Sequence, residues 1–182
     1  MKNIKLYPSF SHWLKYDAIY IISDTHFDDS DCKLMDPDWI TPEEHIRILK
    51  KELNKQTLLI HLGDVGRADY LDELKCYKVL ITGNHDVLSK VASHFDEVYT
   101  GPLFIVDRIL LSHEPIYCLE DFCVNIHGHN HNAASLDDPF HINLAANVAN
   151  YTPMNLGKAI KEGLLSSIKN IHRITIDKAN EK

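Results

Sequence analysis

The chain has 182 residues and a hydrophobic content of 45%, which suits one sizeable core better than two full domains, so we expect residues 1–182 to form a single domain. Twenty-six Asp and Glu against nineteen Lys and Arg give a net charge of −7, and no basic run could follow a phosphate backbone. This balance argues against bulk binding to duplex nucleic acid or to an anionic membrane.

Cysteine spacing and hydropathy bear on the cellular location of the protein. The four cysteines form no C-x-x-C pair and no zinc-ribbon spacing, which favours ordinary reduced thiols at Cys32, Cys76, Cys118 and Cys123. The apolar runs are too short to span a bilayer, and the N-terminus lacks the features of a signal peptide. We therefore expect a cytoplasmic protein without a membrane partner.

The first half of the chain alternates predicted strands and helices. Short apolar runs predict buried strands at residues 18–22, 57–62 and 78–82. Thr41, Pro42 and Glu44 form a capping-box pattern that opens a helix through about residue 53. Two more helices are predicted at about residues 68–76 and 87–94. This alternation predicts a parallel sheet with right-handed crossovers.

From about residue 97 the strands follow one another closely. They are predicted at residues 98–100, 103–112, 123–126 and 141–144, followed by an amphipathic helix at 153–168 and a last strand at 171–176. These elements indicate a second, mixed sheet. The predicted fold class is α/β: a four-layer α/β/β/α sandwich, with two mixed β-sheets packed face to face and helices outside.

Polar clusters close five of the predicted strands. They read Ser-Asp-Thr-His at 23–26, Gly-Asp at 63–64, Gly-Asn-His-Asp at 83–86, Ser-His at 112–113 and His-Gly-His-Asn-His at 127–131. Ligands of open α/β sheets bind beyond the carboxyl ends of the strands, where such loops converge. We therefore expect these loops to bring together Asp24, His26, Asp64, Asn84, His85, His113, His129 and His131.

The residue types in these clusters suit a pair of metal ions. Asp24 and His26 are two positions apart, so both side chains face the same side of an extended strand end. His129 and His131 repeat that spacing, and the carboxylate of Asp64 has two oxygens with which to bridge two ions. Nitrogen and oxygen ligands without a thiolate favour Mn, Fe, Ni or Zn, and the set is too rich in imidazole for Ca or Mg.

The five clusters, in this order, resemble the calcineurin-like metallophosphoesterase superfamily. The matching motifs are D-x-H, G-D, G-N-H-D, a lone His and G-H-x-H, and the resemblance extends from residue 18 to about residue 152. Further matching phrases are found at residues 23–27, 111–115 and 147–148. The chain looks most like the small, uncapped bacterial and phage phosphohydrolases.

The resemblance implies a ligand set and a reaction. One metal ion would be held by Asp24, His26, Asp64 and His131, and the other by Asp64, Asn84, His113 and His129. The implied cofactors are two divalent ions, Mn or Fe, with Ni or Zn as alternatives. A metal-bridging hydroxide would hydrolyse a phosphodiester or phosphomonoester, with His85 as the general acid on the leaving group.

One position departs from the superfamily pattern. Many relatives have an Asp or a His three residues after the bridging Asp, where it orients the general acid, but this chain has Arg67 there. Arg cannot accept a hydrogen bond. Either His85 is oriented through Asp86 or a carbonyl, or Arg67 contacts the substrate phosphate; a solvated helix start is a third interpretation of Arg67.

Other polar residues are assigned structural or peripheral roles. The acidic stretch at residues 28–38 lacks the pattern of a calcium-binding loop and is predicted to be a mobile surface loop, forming a rim or lid beside the site. His61 and His127 are predicted to point into the sheet near the site. Structural roles are predicted for His12, His45, His94, His141 and His172.

Short spacings between the motifs leave no room for a capping domain, so the expected substrate is small or exposed. A nucleotide, a cyclic nucleotide and a phosphodiester end all remain candidates. Two alternatives to this hydrolase stay open. One is a catalytically silent metal-binding interaction platform, although the ligands and general acid are all present. The other is a protein phosphatase, although the acidic and arginine pattern that follows G-D in those enzymes is absent.

Overall fold

Two mixed β-sheets packed face to face form the framework of the described chain, as predicted. The structure is a computed structural model and describes residues 7–106, 108–117, 123–132 and 138–168. The first sheet has five strands and the second has four. Among the described residues, no helix is long and apolar enough to cross a membrane.

The first sheet carries the parallel half of the chain. Its strands are β1 (Ala18–Ile22), β2 (Thr57–His61), β3 (Tyr77–Ile81), β4 (Glu97–Tyr99) and β9 (Met154–Asn155). Their order is β4-β3-β2-β1-β9; all neighbours are parallel except β9, which runs antiparallel to β1. Because Ile22 pairs with His61, β1 and β2 end level and their following loops meet.

The second sheet supplies the remaining loops of the site. Its strands, in spatial order, are β5 (Leu103–Val106), β6 (Ile109–Leu111), β7 (Val124–His127) and β8 (His141–Asn143). β5 and β6 are antiparallel, whereas β6, β7 and β8 are parallel. A bridge between Ser23 and Ala145 joins the ends of β1 and β8, so the loops of the two sheets converge at one edge.

Helices are short, with one exception. The α-helices are α1 (Cys32–Met35), α2 (Pro42–Glu52), α3 (Leu88–Val91) and α4 (Leu156–Lys161), and 3₁₀ turns span His12–Lys15, Ala68–Glu73 and Ala92–His94. The predicted capping box of α2 is confirmed. Thr41 Oγ1 accepts from the Glu44 amide at 3.3 Å, and Glu44 Oε2 accepts from the Thr41 amide at 3.3 Å. Such a cap contributes about 1 kcal/mol.

The two faces of β1 pack into different cores. Ile19 and Ile21 lie in the core between the sheets, opposite residues of the second sheet such as Val124. Tyr20 and Ile22 lie in the core under the helices. Successive strand residues point to opposite faces, so a strand that is apolar throughout must be covered on both sides. This arrangement explains the continuous apolar runs in the sequence.

Several predicted elements are corrected by the structure. The helices predicted at residues 68–76 and 87–94 are a 3₁₀ turn and a short α-helix followed by a 3₁₀ turn. The strand predicted at residues 103–112 is divided into β5 and β6, which fold back on each other. The strand predicted at 171–176 lies outside the described residues. Local hydropathy did not reveal these breaks because it records burial and not where a helix ends or a strand turns back.

The helix predicted at residues 153–168 is also shorter than expected. Met154 and Asn155 pair with β1 as a strand, and the Asn155 side chain then caps α4 by accepting from the Lys158 amide at 3.0 Å. Gly163 has a φ of +108°, which suits a glycine that stops a helix. The apolar residues Leu164 and Leu165 still pack on the core between the sheets, which accounts for the amphipathic pattern.

The buried His45 of α2 gives the fold an acid sensitivity. Burial lowers the pKa of His45 to about 4 from its ordinary 6.5. Between these values the unfolded chain binds a proton that the folded chain does not, so this stability is present above pH 6.5 and is lost as the pH falls toward 4. We expect His45→Leu to reduce the loss of unfolding free energy between pH 7 and pH 5 by about 2 kcal/mol in urea titrations. An unchanged pH dependence in the variant would contradict the assignment.

Candidate metal centre

Loops after β1, β2, β3, β6 and β7 place the seven residues expected to bind metal around one point. Six of these seven residues, all except Asn84, form two groups, and the donor atoms of each group lie within 4.8 Å of one another. The first group is Asp24, His26 and His131, and the second is Asp64, His113 and His129. Side chains that are far apart in the sequence thus lie close together in space. Each of the two groups could hold a metal ion.

The first group surrounds one carboxylate oxygen. Asp24 Oδ1 lies 3.9 Å from His26 Nε2 and 3.6 Å from His131 Nε2. Asp24 and His26 are buried, and His131 is largely so. The other oxygen, Asp24 Oδ2, accepts a hydrogen bond from the His129 backbone amide at 2.8 Å, which orients the carboxylate.

The second group is more open to solvent. His113 Nε2 lies 3.3 Å from Asp64 Oδ2 and 2.8 Å from Asn84 Oδ1. His129 Nδ1 lies 3.1 Å from the same Asn84 oxygen and 3.2 Å from His113 Nε2. The side chains of Asn84 and His129 are exposed, whereas Asp64 and His113 are buried. Asn84 thus presents a neutral oxygen to the second group, as expected.

Asp64 lies between the two groups. Its Oδ2 atom is 3.8 Å from His26 Nε2 and 3.3 Å from His113 Nε2. Its Oδ1 atom accepts from the His85 backbone amide at 2.9 Å. One oxygen of Asp64 therefore faces imidazoles of both groups, which is the position that a carboxylate shared by two ions requires.

Two buried atoms of the site have no hydrogen-bond partner. They are Asp24 Oδ1 and His26 Nε2, which face each other. An unsatisfied buried polar group costs about 1–3 kcal/mol, and more when it is charged. A cation between them would satisfy both, and the mixed nitrogen and oxygen donors suit a first-row transition metal or zinc. The residues present therefore fit a bound metal ion.

Outer hydrogen bonds fix the imidazoles that face the site. His26 Nδ1 lies 3.1 Å from Asp29 Oδ2, His113 Nδ1 lies 2.9 Å from the Leu62 carbonyl, and His131 Nδ1 lies 3.1 Å from Asn147 Oδ1. A ring that donates Nδ1–H to an oxygen leaves the Nε2 lone pair to bind a metal. Asp29 and Asn147 were not predicted in this role, although both belong to segments that the sequence marked as near the site.

The charges of the site favour a positive ion. Burial by itself raises the pKa of Asp64, but the hydrogen bond and charge of His113 outweigh it and bring that pKa to about 2. Burial lowers the pKa of His113, yet its hydrogen bond to Asp64 and the nearby carboxylates raise it more strongly. Burial lowers the pKa of His26 against the opposing influence of Asp24. The lowered pKa values keep Asp64 ionised and His26 neutral, which are the forms that bind metal, whereas His113 must release a proton before it binds an ion.

The backbone of the site is unusual in ways that bring the ligands together. Asp24, His26, Asp64 and His129 all have positive φ values, between +40° and +66°. Non-glycine residues seldom adopt this conformation, and it persists where the surrounding structure enforces it. Such strain at four positions of the candidate site is typical of a functional site.

Gly128 lets the His129 loop approach Asp24. A Cβ atom on Gly128 would lie 2.0 Å from Ser23 Oγ and 2.1 Å from Asp24 Oδ2. We expect Gly128→Ala to lower the free energy of unfolding by about 1–3 kcal/mol and to weaken metal binding, because the ligand loops must separate. The matched control is Gly101→Ala, where a Cβ would meet nothing within 4 Å. Equal effects of the two substitutions, measured by denaturant unfolding, would contradict this account.

His85 lies beside the metal-binding groups without belonging to either. Its side chain is exposed and lines an open cleft of about 580 Å³ together with Arg67 and Lys90. The ring centroid lies 5.8 Å from that of His26. Asp86 does not orient this ring, because its carboxylate accepts from the Asp64, Val65 and Gly83 amides at 2.9 Å each. Asp86 instead fixes the loops that carry Asp64 and Asn84.

Arg67 lines the same cleft. Its Nη1 atom lies 3.1 Å from Asp28 Oδ2, and its Nε atom lies 3.3 Å from Asp69 Oδ2. The side chain is more than half exposed, so these surface ion pairs contribute little to stability. They do direct the guanidinium group toward the cleft that His85 lines.

Histidines outside the motifs have structural contacts. His61 is fully buried, and its ring bonds to Thr25 Oγ1 at 3.0 Å and to the Gly63 amide at 3.1 Å, so it supports two ligand loops. His127 Nδ1 lies 2.8 Å from the Gly128 carbonyl. His12, His94 and His141 each pair with an acidic side chain. His172 lies outside the described residues.

No protein-family model and no curated protein sequence matches the chain. Two solved structures are similar to it. A protein of unknown function from Aquifex aeolicus is 25% identical, with a TM-score of 0.68 over 79% of this chain and 98% of that one. The Aquifex protein shares this fold. The nuclease MPE from Pseudomonas putida is 22% identical, with a TM-score of 0.45 over 61% of this chain and 60% of its own.

Proposed function

We propose that this chain is a dinuclear metal-dependent phosphoesterase of the calcineurin-like type. The observation that carries the proposal is the pair of donor groups that meet at Asp64, with unpartnered buried atoms on Asp24 and His26. Asp24, His26, Asp64 and His131 would hold one ion, and Asp64, Asn84, His113 and His129 the other. Mn or Fe is the first choice, with Ni or Zn as alternatives.

Paired ions of this kind supply water of lowered pKa and neutralise charge on a phosphoryl group. The protein's own residues position the substrate and move its protons. The backbone amide of His85 donates to Asp64 Oδ1. The exposed His85 ring lines the cleft, where it can donate a proton to the leaving-group oxygen. That proton is needed because an alkoxide leaving group is a strong base.

Arg67 is proposed to bind a non-bridging phosphoryl oxygen. Asp28 and Asp69 engage two of its N–H positions, and the guanidinium group retains further donors in a planar array that suits phosphate. This interpretation of Arg67 fits its position in the cleft with His85 better than a solvated helix start does.

The cleft favours a small or exposed ester. It is open, and acidic side chains such as Asp28, Asp29 and Asp69 line it beside Arg67 and Lys90, so it offers no continuous basic track for duplex nucleic acid. We propose a small phosphorylated substrate, with a nucleotide among the candidates, and a cytoplasmic site of action. Both diester and monoester substrates fit this chemistry.

The experiment is hydrolysis of bis(p-nitrophenyl) phosphate and p-nitrophenyl phosphate by chelator-treated protein, with and without added Mn²⁺, Ni²⁺, Zn²⁺ or Mg²⁺. We expect Mn²⁺ or Ni²⁺ to restore activity, and the ratio of diester to monoester rates to define the ester class. Arg67→Ala should raise KM more than it lowers kcat, because its contact with phosphate is present before the transition state. Absence of hydrolysis with two ions bound would favour the metal-binding platform.

A further inference from the structure

The two metal-binding groups differ in what holds their imidazoles from behind. In the first group, His26 Nδ1 meets the Asp29 carboxylate at 3.1 Å, and His131 Nδ1 meets Asn147 Oδ1 at 3.1 Å. In the second group, the outer partner of His113 is the backbone carbonyl of Leu62. The first group therefore has side-chain supports that the second does not share.

Both side-chain supports lead back to the acidic loop, which we define as residues 28–38. Asp29 belongs to this loop directly. Asn147 is tied to it because its Nδ2 atom donates to Asp36 Oδ2 at 3.4 Å and also to the His131 carbonyl at 3.0 Å. One segment thus fixes the ring of His26 and, through Asn147, both the ring and the backbone of His131.

The acidic loop, which the sequence predicts to be a mobile surface loop, has several hydrogen-bond contacts. Asp28 binds Arg67 and the Tyr70 hydroxyl, the latter at 3.1 Å, and Lys33 Nζ donates to the Pro37 carbonyl at 3.1 Å. Just beyond the loop, the ring of Trp39 packs 6.0 Å from that of His26 and 5.7 Å from that of His131. The loop can therefore transmit rigidity to these two ligands.

Burial adds to the asymmetry. Asp24 and His26 are 0% and 4% exposed, and the His131 side chain is 13% exposed. In the second group Asp64 and His113 are also buried, but His129 and the neighbouring Asn84 are exposed. Exposed ligand side chains keep more rotamer freedom, which must be lost when they bind an ion. Buried and supported ligands are already in place.

Resting on the proposed dinuclear site, we propose that the acidic loop makes the Asp24–His26–His131 site the tighter of the two, with Asp29 and Asn147 as positioning residues. Metal ions then enter in a fixed order. The supported site fills first, and the site at His113 and His129 binds its ion more weakly. Loss of an outer hydrogen bond from a ligating His typically costs 10–100-fold in metal affinity.

The test is calorimetric titration of Mn²⁺ into metal-free protein, with a matched pair of variants. Asp29→Asn and Asp31→Asn each remove one negative charge from the same loop, but only Asp29 faces an imidazole of the candidate site, whereas the Asp31 carboxylate accepts from the neighbouring Ser30 hydroxyl at 3.3 Å. For the wild type we expect two ions with separate Kd values. Asp29→Asn should raise the lower Kd about 10–100-fold. Asp31→Asn should leave both Kd values within about twofold.

Asn147→Ala removes the outer partner of His131, the other supported imidazole. It should also raise the lower of the two Kd values. Thermal melting of each metal-free variant within a few degrees of the wild type would show that the loss is not unfolding. Equal wild-type Kd values, equal effects of the two Asp variants, or weakening of the looser step would each overturn this inference. Two ions bound without hydrolysis would overturn the proposed function alone, and binding of no ion would overturn both.

Discussion

We expect His85→Ala to keep both metal ions and to lose about 10²–10⁴-fold in turnover, the range typical of a general acid. Metal should stay because the ring of His85 belongs to neither donor group, and the amide that holds Asp64 survives the substitution. The loss should be largest for alkyl esters and smallest for p-nitrophenyl esters, because a good leaving group departs without protonation. Steady-state rates and bound metal per chain measure both effects.

His12→Ala is the control for that variant. It removes another exposed imidazole, one that pairs with Glu97 outside the candidate site, so turnover should be unchanged. If His85→Ala lost metal together with activity, the ring would be acting as a ligand. If its turnover stayed within about threefold of the wild type for every leaving group, the assignment of the general acid would be wrong.

We expect Asp64→Asn to weaken the binding of both metal ions at once. Its Oδ2 atom faces imidazoles of both groups, and an amide replaces the charged oxygen pair with one neutral oxygen. Affinity for each ion should fall by about 100-fold or more, beyond the 10–100-fold typical of losing an outer partner. Hydrolysis should fall with it. Calorimetric titration of Mn²⁺ and the hydrolysis rate at saturating Mn²⁺ report the two effects.

His129→Ala is the comparison for Asp64→Asn. His129 is exposed and belongs to the second group alone. Its removal should therefore weaken the binding of one ion and leave the affinity for the other ion unchanged. The contrast depends on the shared position of Asp64, not on the general importance of the site. Loss of a single ion in Asp64→Asn, with the other Kd unchanged, would show that Asp64 does not serve both ions.

The strands that build the site were predictable because their signals are local. Runs such as residues 18–22 and 57–62 are apolar throughout, and the register of Ile22 with His61 brings their loops level. The capping box of α2 was predictable for the same reason, since Thr41 and Glu44 are three residues apart. These signals need no knowledge of the rest of the chain.

Two of the elements that were missed are defined by the strand with which they pair. Met154 and Asn155 read as part of a helix, but an open edge of β1 makes them a strand. The break between Val106 and Ile109 appears only because β5 and β6 pair with each other. Sequence hydropathy records that these residues are buried, but it does not record against which segment they pack.

The same division holds for the candidate site. Six of the predicted donors form two close groups, as expected for loops that follow strand ends at the edge where the two sheets meet. The roles of Asp29, Asp86 and Asn147 were not predicted, since hydrogen bonds to a ligand ring or loop carry no fixed spacing in the chain. Asp86 had been considered as a partner for His85, but its carboxylate binds backbone amides instead.

The most direct test measures Mn²⁺ occupancy and phosphoester hydrolysis on the same preparation of chelator-treated protein. Mn²⁺ is added stepwise while bound ions per chain and the rate with bis(p-nitrophenyl) phosphate are recorded. The proposed function requires two ions per chain, little activity with one ion, and hydrolysis that rises as the second ion binds. Two bound ions without hydrolysis of diester or monoester, or hydrolysis independent of added metal, would contradict it.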